Sequence, residues 1–309
     1  MATILDGNKL AREIRSKVEE GVERLKARGT DVGLAILLVG DNPASKQYFF
    51  ATLKTGKKVG INVYEYKLPA TVSINEIINV IHSINNDERI HGLLILFPLP
   101  RRINGRRVVN ALLPEKDIDG LGSISVGRLA AEESAFQLFN QGKDIVNSPS
   151  PSITGFLPCT PFGVIRLLEY YNIELKGKHV VVLSKSLAVG KPLAMMLLAK
   201  EATVTVCHRE TADLTFFTKN ADIICSATGV RGLIKGDMVK KGAVIVDIGI
   251  VVLPDGSVTG DVDFNSVAEK ASYITPVPGG VGPVTIAMLI ENTLKSAQKH
   301  EWIKSPFMF

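Results

Sequence analysis

Short, wholly apolar runs alternate with amphipathic stripes along most of this chain, and few folds accept that alternation. Residues 34–39 and 92–97 stay apolar throughout, as a strand does when both faces of its sheet are covered. Leu10, Ile14, Val18, Val22 and Leu25 recur every three to four residues, so the spacing predicts a helix over 8–27. Residues 44–58 read as helical and 61–66 as a strand. Ile74, Ile77, Ile78, Ile81 and Ile84 make a further helix stripe. A second alternating set follows a helix at 161–171, with strands at 179–183, 202–207, 223–227 and 243–247 and a short one near 273–275. Strands separated by helices imply parallel βαβ units, hence an α/β fold. The expected domains are a three-layer βαβ domain over 1–140 and a doubly wound parallel sheet over 156–284. A terminal helix over 285–300 is expected to return to the first domain, and the polar, proline-rich stretch 141–155 reads as a linker or loop insert.

Composition limits the function classes. The 309 residues are 46% hydrophobic and 22% charged, which suits two packed domains. No apolar run approaches the ~20 residues that cross a bilayer. The start of the chain lacks a signal layout, with Asp6 early, so a cytoplasmic protein is expected. Cys159, Cys207 and Cys225 are widely spaced in apolar contexts, which suits unpaired thiols in a reducing compartment and offers no metal spacing. The net charge of +5 and pI near 9.0 read as mild and spread out. Neither a nucleic-acid site nor a membrane partner is expected; anionic small molecules are favoured.

Residues 275–285 hold three prolines and three glycines within eleven positions. Such a segment reads as a stiff, exposed loop that a flat ligand can approach closely. Its wording, PVPGGVGPVT, closely resembles the PGGVGPMT signature of the methylenetetrahydrofolate dehydrogenase/cyclohydrolase family. There the loop helps to wall the folate and nicotinamide sites, so the resemblance implies substrate-binding roles for Pro278, Gly279, Gly280 and Pro283, and a cofactor contact at Thr285.

The second half begins with a strand–turn–helix unit of the kind that binds a pyrophosphate. The strand is followed by Ser184, Lys185, Ser186, Leu187, Ala188, Val189, Gly190, Lys191 and Pro192. No G-x-G-x-x-G fingerprint is present. The family's pattern is instead G-R-S-x-x-V-G-x-P. Ser186, Val189, Gly190 and Pro192 match it, Lys185 stands for the arginine, and Ser184 replaces the leading glycine, which a serine can do where φ stays negative. A Rossmann-type sheet that binds NADP is expected. NAD-specific sites place an acid at the end of the second strand, whereas this strand ends in Cys207, His208 and Arg209. Arg209 and Lys185 suit a 2′-phosphate, although Glu210 stands next to them. By resemblance, Ser184, Ser186, Gly190 and His208 also line the dinucleotide, and Ile250, in the family's D-V/I-G-I element, meets the nicotinamide portion.

The first half resembles the family at residues 39–45 and 58–61. Between these the family carries Y-x-x-x-K, which places phenol and amine on one helix face. Tyr48 keeps the phenol, but Thr52 takes the lysine position, and Lys54 lies on a different face of the helix. The family's G-I-L-V-Q-L-P-L-P appears as residues 92–100, with Leu96 for the glutamine that hydrogen-bonds that lysine and Ile95 and Phe97 on either side. The loss of both partners is coherent, because an unpartnered amide in an apolar strand costs about 1–3 kcal/mol. Residues 114–120 keep the family's P-x-K-D-V-D-G, so Asp119 is expected to receive the pterin's N–H donors. The resemblance thus implies a catalytic and substrate-binding set of Tyr48, Thr52, Leu96 and Asp119 with Ile95 and Phe97. The stretch 131–155 is longer than the family's usual link.

Oxidation of 5,10-methylenetetrahydrofolate needs two rings in register; hydrolysis of the methenyl product needs proton shuttling. The expected activity is therefore an NADP-dependent dehydrogenase with cyclohydrolase lost or weak, acting on tetrahydrofolate derivatives as a homodimer. Alternatives are a bifunctional enzyme that uses another proton-transfer group, a non-catalytic folate- or nucleotide-binding relative, and another two-domain dehydrogenase of amino-acid or shikimate type.

Overall fold

The computed structural model describes residues 2–131 and 155–304. The linker expected at 141–155 lies outside the described residues except for Gly155, and so does the long stretch 131–155 except for its two end residues. The chain divides into two compact units, one formed by Met1–Arg12 with Thr160–Thr285 and the other by Glu13–Cys159 with Ile286–Phe309. The first twelve residues, expected with the first domain, thus belong to the second. Their short strand β1 (Thr3–Ile4) pairs in parallel with β11 (Tyr273–Ile274). The Gly7 amide also donates to the Gly279 carbonyl at 2.9 Å.

The unit containing Glu13–Cys159 holds a parallel three-stranded sheet in the order β3-β2-β4 (Asn62–Leu68, Gly33–Val39, Gly92–Ile95). All seven residues of β2 are buried, as a central strand covered on both faces requires. Helices α1 (Gly7–Ala27), α2 (Pro43–Lys58) and α3 (Ile74–Asn86) follow the expected stripes. Ile77, Ile81 and Ile84 of α3 are fully buried, and Ser73 and Glu76 close its first turn as a reciprocal capping box. The terminal helix α10 (Val281–Lys304) closes this unit through its later turns. Ser296 Oγ donates to the His91 and Glu115 carbonyls at 2.6 and 2.8 Å. Gly21 of α1 lies so close to Leu294 that a Cβ there would stand 2.5 Å from a leucine methyl.

Two short helices went unread in the sequence, α4 (Gly105–Val109) and α5 (Ser123–Ala131). Strand β4 stops at Ile95, short of the apolar run. The Leu96 amide still reaches Leu37 O at 3.0 Å, but Phe97 is 36% exposed and Pro98 has no donor to continue a ladder.

The other unit is a six-stranded parallel sheet, ordered β1-β11-β8-β7-β5-β6. Its members are β5 (His179–Leu183), β6 (Thr203–Cys207), β7 (Ile223–Ser226) and β8 (Val244–Asp247), with β1 and β11 at one side. Val181, Leu183, Ile224, Ile245 and Ile274 form its core. Helix α6 (Cys159–Tyr170) precedes the sheet, and α7 (Gly190–Ala199), α8 (Leu214–Thr218) and α9 (Phe264–Ala268) join its strands. A small antiparallel hairpin, β9 (Val251–Val252) with β10 (Val258–Thr259), follows β8. The proline–glycine segment is shorter as a loop than expected. It ends at Gly280, and Gly282 and Pro283 occupy the first turn of α10, where a missing N–H costs nothing. It is also buried or half-buried except at Pro278, and Gly279 has φ 110°.

Candidate active site

The residues expected to meet the folate gather in the unit of Glu13–Cys159. Asn42 caps α2 by accepting from Ser45 N at 3.0 Å, with Pro43 at the helix start. Ser45 Oγ donates to the Phe97 carbonyl at 3.0 Å, which ties the helix start to the end of β4. One turn on, Tyr48 is half-buried. Burial first, then the charges of Asp119 and Cys159, holds its phenol well above the ordinary tyrosine range. The structure thus brings Tyr48 and Asp119 together from elements far apart in sequence.

The two carboxylates of the Asp-x-Asp element differ. Asp117 is a structural acceptor: its oxygens take Leu121 N, Gly122 N and Ser125 Oγ at 3.1, 2.8 and 2.8 Å. Burial still pushes its pKa up to about 6 against those bonds. Asp119 is pushed up to about 7, by burial and then by Asp117, while bonds from the thiol and amide of Cys159 pull the other way. Gly120 follows at φ 65°, and a Cβ there would meet Phe156 O at 2.4 Å. The sequence reading missed Cys159 and Asn292 as neighbours of this site. Cys159 Sγ donates to Ile118 O at 3.2 Å, and Asn292 Nδ2 reaches the same carbonyl at 2.8 Å. The apolar context of Cys159 signalled only burial.

Thr52 is 0% exposed, and its Oγ1 is the one buried side-chain polar atom among the described residues without a hydrogen-bond partner. It shares a face of α2 with Tyr48, four residues before it. Leu96 is also buried, at 2% exposure, and Ile95 at 5%.

The dinucleotide candidates lie in the other unit. Ser184 has no positive φ, so serine fits the turn without strain. Its Oγ accepts from Ser186 N at 3.2 Å. Ser186 Oγ in turn accepts from Val189 N and Gly190 N, both at 3.2 Å, at the opening of α7, where Val189 gives no side-chain cap. A Cβ on Gly190 would lie 2.0 Å from Ser184 O; only glycine permits this close turn. Lys185 is exposed beside it. At the end of β6, Arg209 is 90% exposed and pairs with its neighbour Glu210 at 3.1 Å, while His208 Nδ1 accepts from Glu210 N at 3.2 Å. A tight turn that excludes a Cβ and two exposed cations fit a phosphorylated dinucleotide.

Two buried aspartates brace the neighbouring loops. Asp247 accepts from Gly249, Asp261 and Val262 amides at 3.1, 3.0 and 2.9 Å, and burial pushes it up to about 6. Asp261 accepts from Ser226 Oγ and from the Thr228 and Val230 amides at 2.7, 2.6 and 3.1 Å. Ile250, between these loops, is 48% exposed. Thr285 Oγ1 is buried, 3.3 Å from Thr160 Oγ1 and from Val281 O. Among the described residues no group of three His, Cys, Asp or Glu could hold a metal ion, and no helix is long and apolar enough to cross a membrane.

A Rossmann-type unit with a tight strand-to-helix turn and a βαβ unit in which the charge of Asp119 acts on the Tyr48 phenol define a two-domain α/β protein of the oxidoreductase class. Residues 5–119 match the family described as "Tetrahydrofolate dehydrogenase/cyclohydrolase, catalytic domain", and residues 158–301 match its "NAD(P)-binding domain". The chain belongs to the tetrahydrofolate dehydrogenase/cyclohydrolase family. It is 46% identical over 299 residues to the "Bifunctional protein FolD" of Wolinella succinogenes, covering 96% of this chain and 98% of that one. The bifunctional FolD structure from Campylobacter jejuni superposes with a TM-score of 0.85 at 43% identity, covering 96% and 99% of the two chains. The FolD structure from Trypanosoma brucei, complexed with NADP cofactor and inhibitor, has a TM-score of 0.85 at 33% identity and covers 96% and 97%.

Proposed function

We propose that this chain is an NADP-dependent methylenetetrahydrofolate dehydrogenase whose cyclohydrolase activity is lost or weak. The buried, unpartnered hydroxyl of Thr52 carries the reading. The family pattern places a lysine there, and neither a threonine hydroxyl nor the buried Leu96 side chain can exchange a proton near neutral pH. When bound, NADP takes a hydride from the one-carbon bridge of the folate, chemistry that asks mainly for alignment. In this reading Tyr48 stacks on the folate ring and Asp119 accepts the pterin N–H donors, with Ile95, Phe97, Pro278, Gly279, Gly280 and Pro283 as walls. Ser184, Ser186, Gly190, His208, Ile250 and Thr285 hold the dinucleotide, and Lys185 and Arg209 take the 2′-phosphate. The NADP bound by the Trypanosoma relative supports the cofactor choice.

The test mixes the protein with NADP and methylenetetrahydrofolate and follows NADPH and methenyltetrahydrofolate separately. Equal build-up of both supports the proposal. NADPH without accumulating methenyltetrahydrofolate would overturn the cyclohydrolase half, and tight folate binding without NADPH would favour a non-catalytic relative. One observation favours a second, bifunctional reading: Asp119, pushed up to about 7 beside Tyr48, titrates where a general base works. Hydrolysis that rises with pH through about 7 would mark that route.

A homodimer acting in the cytosol completes the proposal. Strand β6 is a sheet edge with Val206 40% exposed, and the three cysteines are free and buried, as in a reducing compartment. The mass in solution by light scattering tests the dimer.

A further inference from the structure

Two enclosed aspartates at the carboxyl ends of β7 and β8 have no part in the site proposed above. Asp261 is 0% exposed and Asp247 4%. The Asp261 carboxylate takes Ser226 Oγ and the Thr228 and Val230 amides, all from the stretch that leaves β7. The Asp247 carboxylate takes the Gly249 amide, from the stretch that leaves β8, and the amides of Asp261 and Val262. The two are interlocked, since the Asp261 amide is one of the donors to Asp247. They are also closely walled: a Cβ on Gly249 would lie 2.0 Å from Asp261 Oδ1, and one on Gly260 1.9 Å from Asp247 Oδ2. Burying a carboxylate is costly even when it is hydrogen-bonded, so the pair points to a task beyond packing.

Topology indicates the task. Strand β5 pairs with β6 on one side and with β7 on the other, so the order of the strands reverses at β5. A doubly wound sheet takes its ligand in the crevice outside the strand ends at such a switch point. In the proposed site Lys185 and Arg209, past the ends of β5 and β6, take the 2′-phosphate. The other end of the dinucleotide then runs across β7 and β8. The stretch after β7 borders the end of β5 directly, where Ala227 N donates to Leu183 O at 3.1 Å. Val230 and Ile250, in the stretches that the two aspartates hold, are 52% and 48% exposed.

We infer that Asp261, interlocked with Asp247, is a positioning residue for the nicotinamide half of the cofactor, because it fixes the stretches Ser226–Val230 and Asp247–Ile250 along which that half lies. The inference rests on the proposed dinucleotide site. Both carboxylates are enclosed, so they act through the backbone they hold and not by touching the cofactor. Thr275 extends the brace to the end of β11, since its Oγ1 accepts from Asp247 N at 2.7 Å. The half held by Lys185 and Arg209 owes nothing to this brace.

Calorimetry of the full chain with NADP and with adenosine 2′,5′-bisphosphate, which carries the phosphorylated ribose but no nicotinamide, separates the two halves. Asp261→Asn keeps the size of the side chain and turns an amide donor towards other donors. It should weaken NADP binding about tenfold and leave the bisphosphate within about twofold of the wild type. Should that variant fail to fold, Ser226→Ala, which removes one donor from Asp261, should show the same pattern with a loss of about threefold. Loss of both ligands alike, loss of the bisphosphate alone, or no loss at all would overturn the positioning role. Failure of the wild-type protein to bind either ligand would instead refute the dinucleotide site, and the inference with it.

Discussion

A single buried oxygen, Thr52 Oγ1, has no hydrogen-bond partner among the described residues. In the proposed reading Thr52 stands at a lysine position, and such a lysine would need a hydrogen-bond partner that the buried Leu96 does not offer. The hydroxyl left in its place is buried and unsatisfied, which costs about 1–3 kcal/mol. Thr52→Val keeps the shape and removes the orphan, so it should raise the melting temperature, by the equivalent of about 1 kcal/mol. A lowered midpoint would mean that the hydroxyl has a partner. Asp119, in the proposed site, also carries a cost in stability, because its carboxyl is buried. Asp119→Asn should weaken binding of a folate analogue about ten- to hundredfold, because a charge-assisted acceptor becomes an amide with a misplaced donor. The same variant should melt higher than the wild type at pH 8, where Asp119 is otherwise ionised in a buried setting. Titration and thermal melts of both forms check the pair of outcomes; unchanged affinity would place Asp119 outside the site.

Among the elements, the β5–α7 turn is the least tolerant of change. The 2.0 Å overlap that a Cβ on Gly190 would make is with the Ser184 backbone carbonyl, so no side-chain rotation relieves it. Gly190→Ala should cost about 1–3 kcal/mol and weaken NADP binding at least tenfold. Gly127 in α5 is the contrast, with nothing within 4 Å of its ideal Cβ. There alanine should be neutral or stabilise by up to ~1 kcal/mol through helix propensity. Melting curves with and without NADP decide both; a harmless Gly190→Ala would mean that the turn is not tightly closed.

Across the whole molecule three buried carboxyls, Asp117, Asp119 and Asp247, are raised to about 6, 7 and 6. A raised folded-state pKa means that the native protein holds these protons where the unfolded chain has released them. The stability they contribute is complete below the unfolded value of about 4 and is lost as pH rises through 6 to 7. The melting temperature should therefore fall between pH 5 and pH 8; a rise over that window would contradict the assignment. Asp87, held near 2 chiefly by its bonds from Arg89, acts in the reverse direction only well below this window.

Much of this architecture was legible in the sequence because buried parallel strands are written as apolar runs. Strand β5 falls at residues 179–183 as expected, and the i,i+3/i+4 stripes of α1 and α3 mark their buried faces. The placement of residues 1–12 was not legible. Two residues, both exposed, make β1, and its partner β11 stands near the other end of the chain. Motif resemblance placed Tyr48 and Asp119 as candidates, but the orphaned Thr52 oxygen and the bonds from Cys159 to Asp119 depend on packing that no spacing encodes.

In the proposed site Thr52 and Leu96 offer methenyltetrahydrofolate no proton-transfer group. The direct measurement is the hydrolysis rate of purified methenyltetrahydrofolate with the wild-type protein, against the enzyme-free rate and against the Thr52→Lys/Leu96→Gln double variant. The wild-type rate should lie close to the enzyme-free rate, with a measurable gain in the double variant. Rapid saturable hydrolysis by the unmodified protein would contradict it.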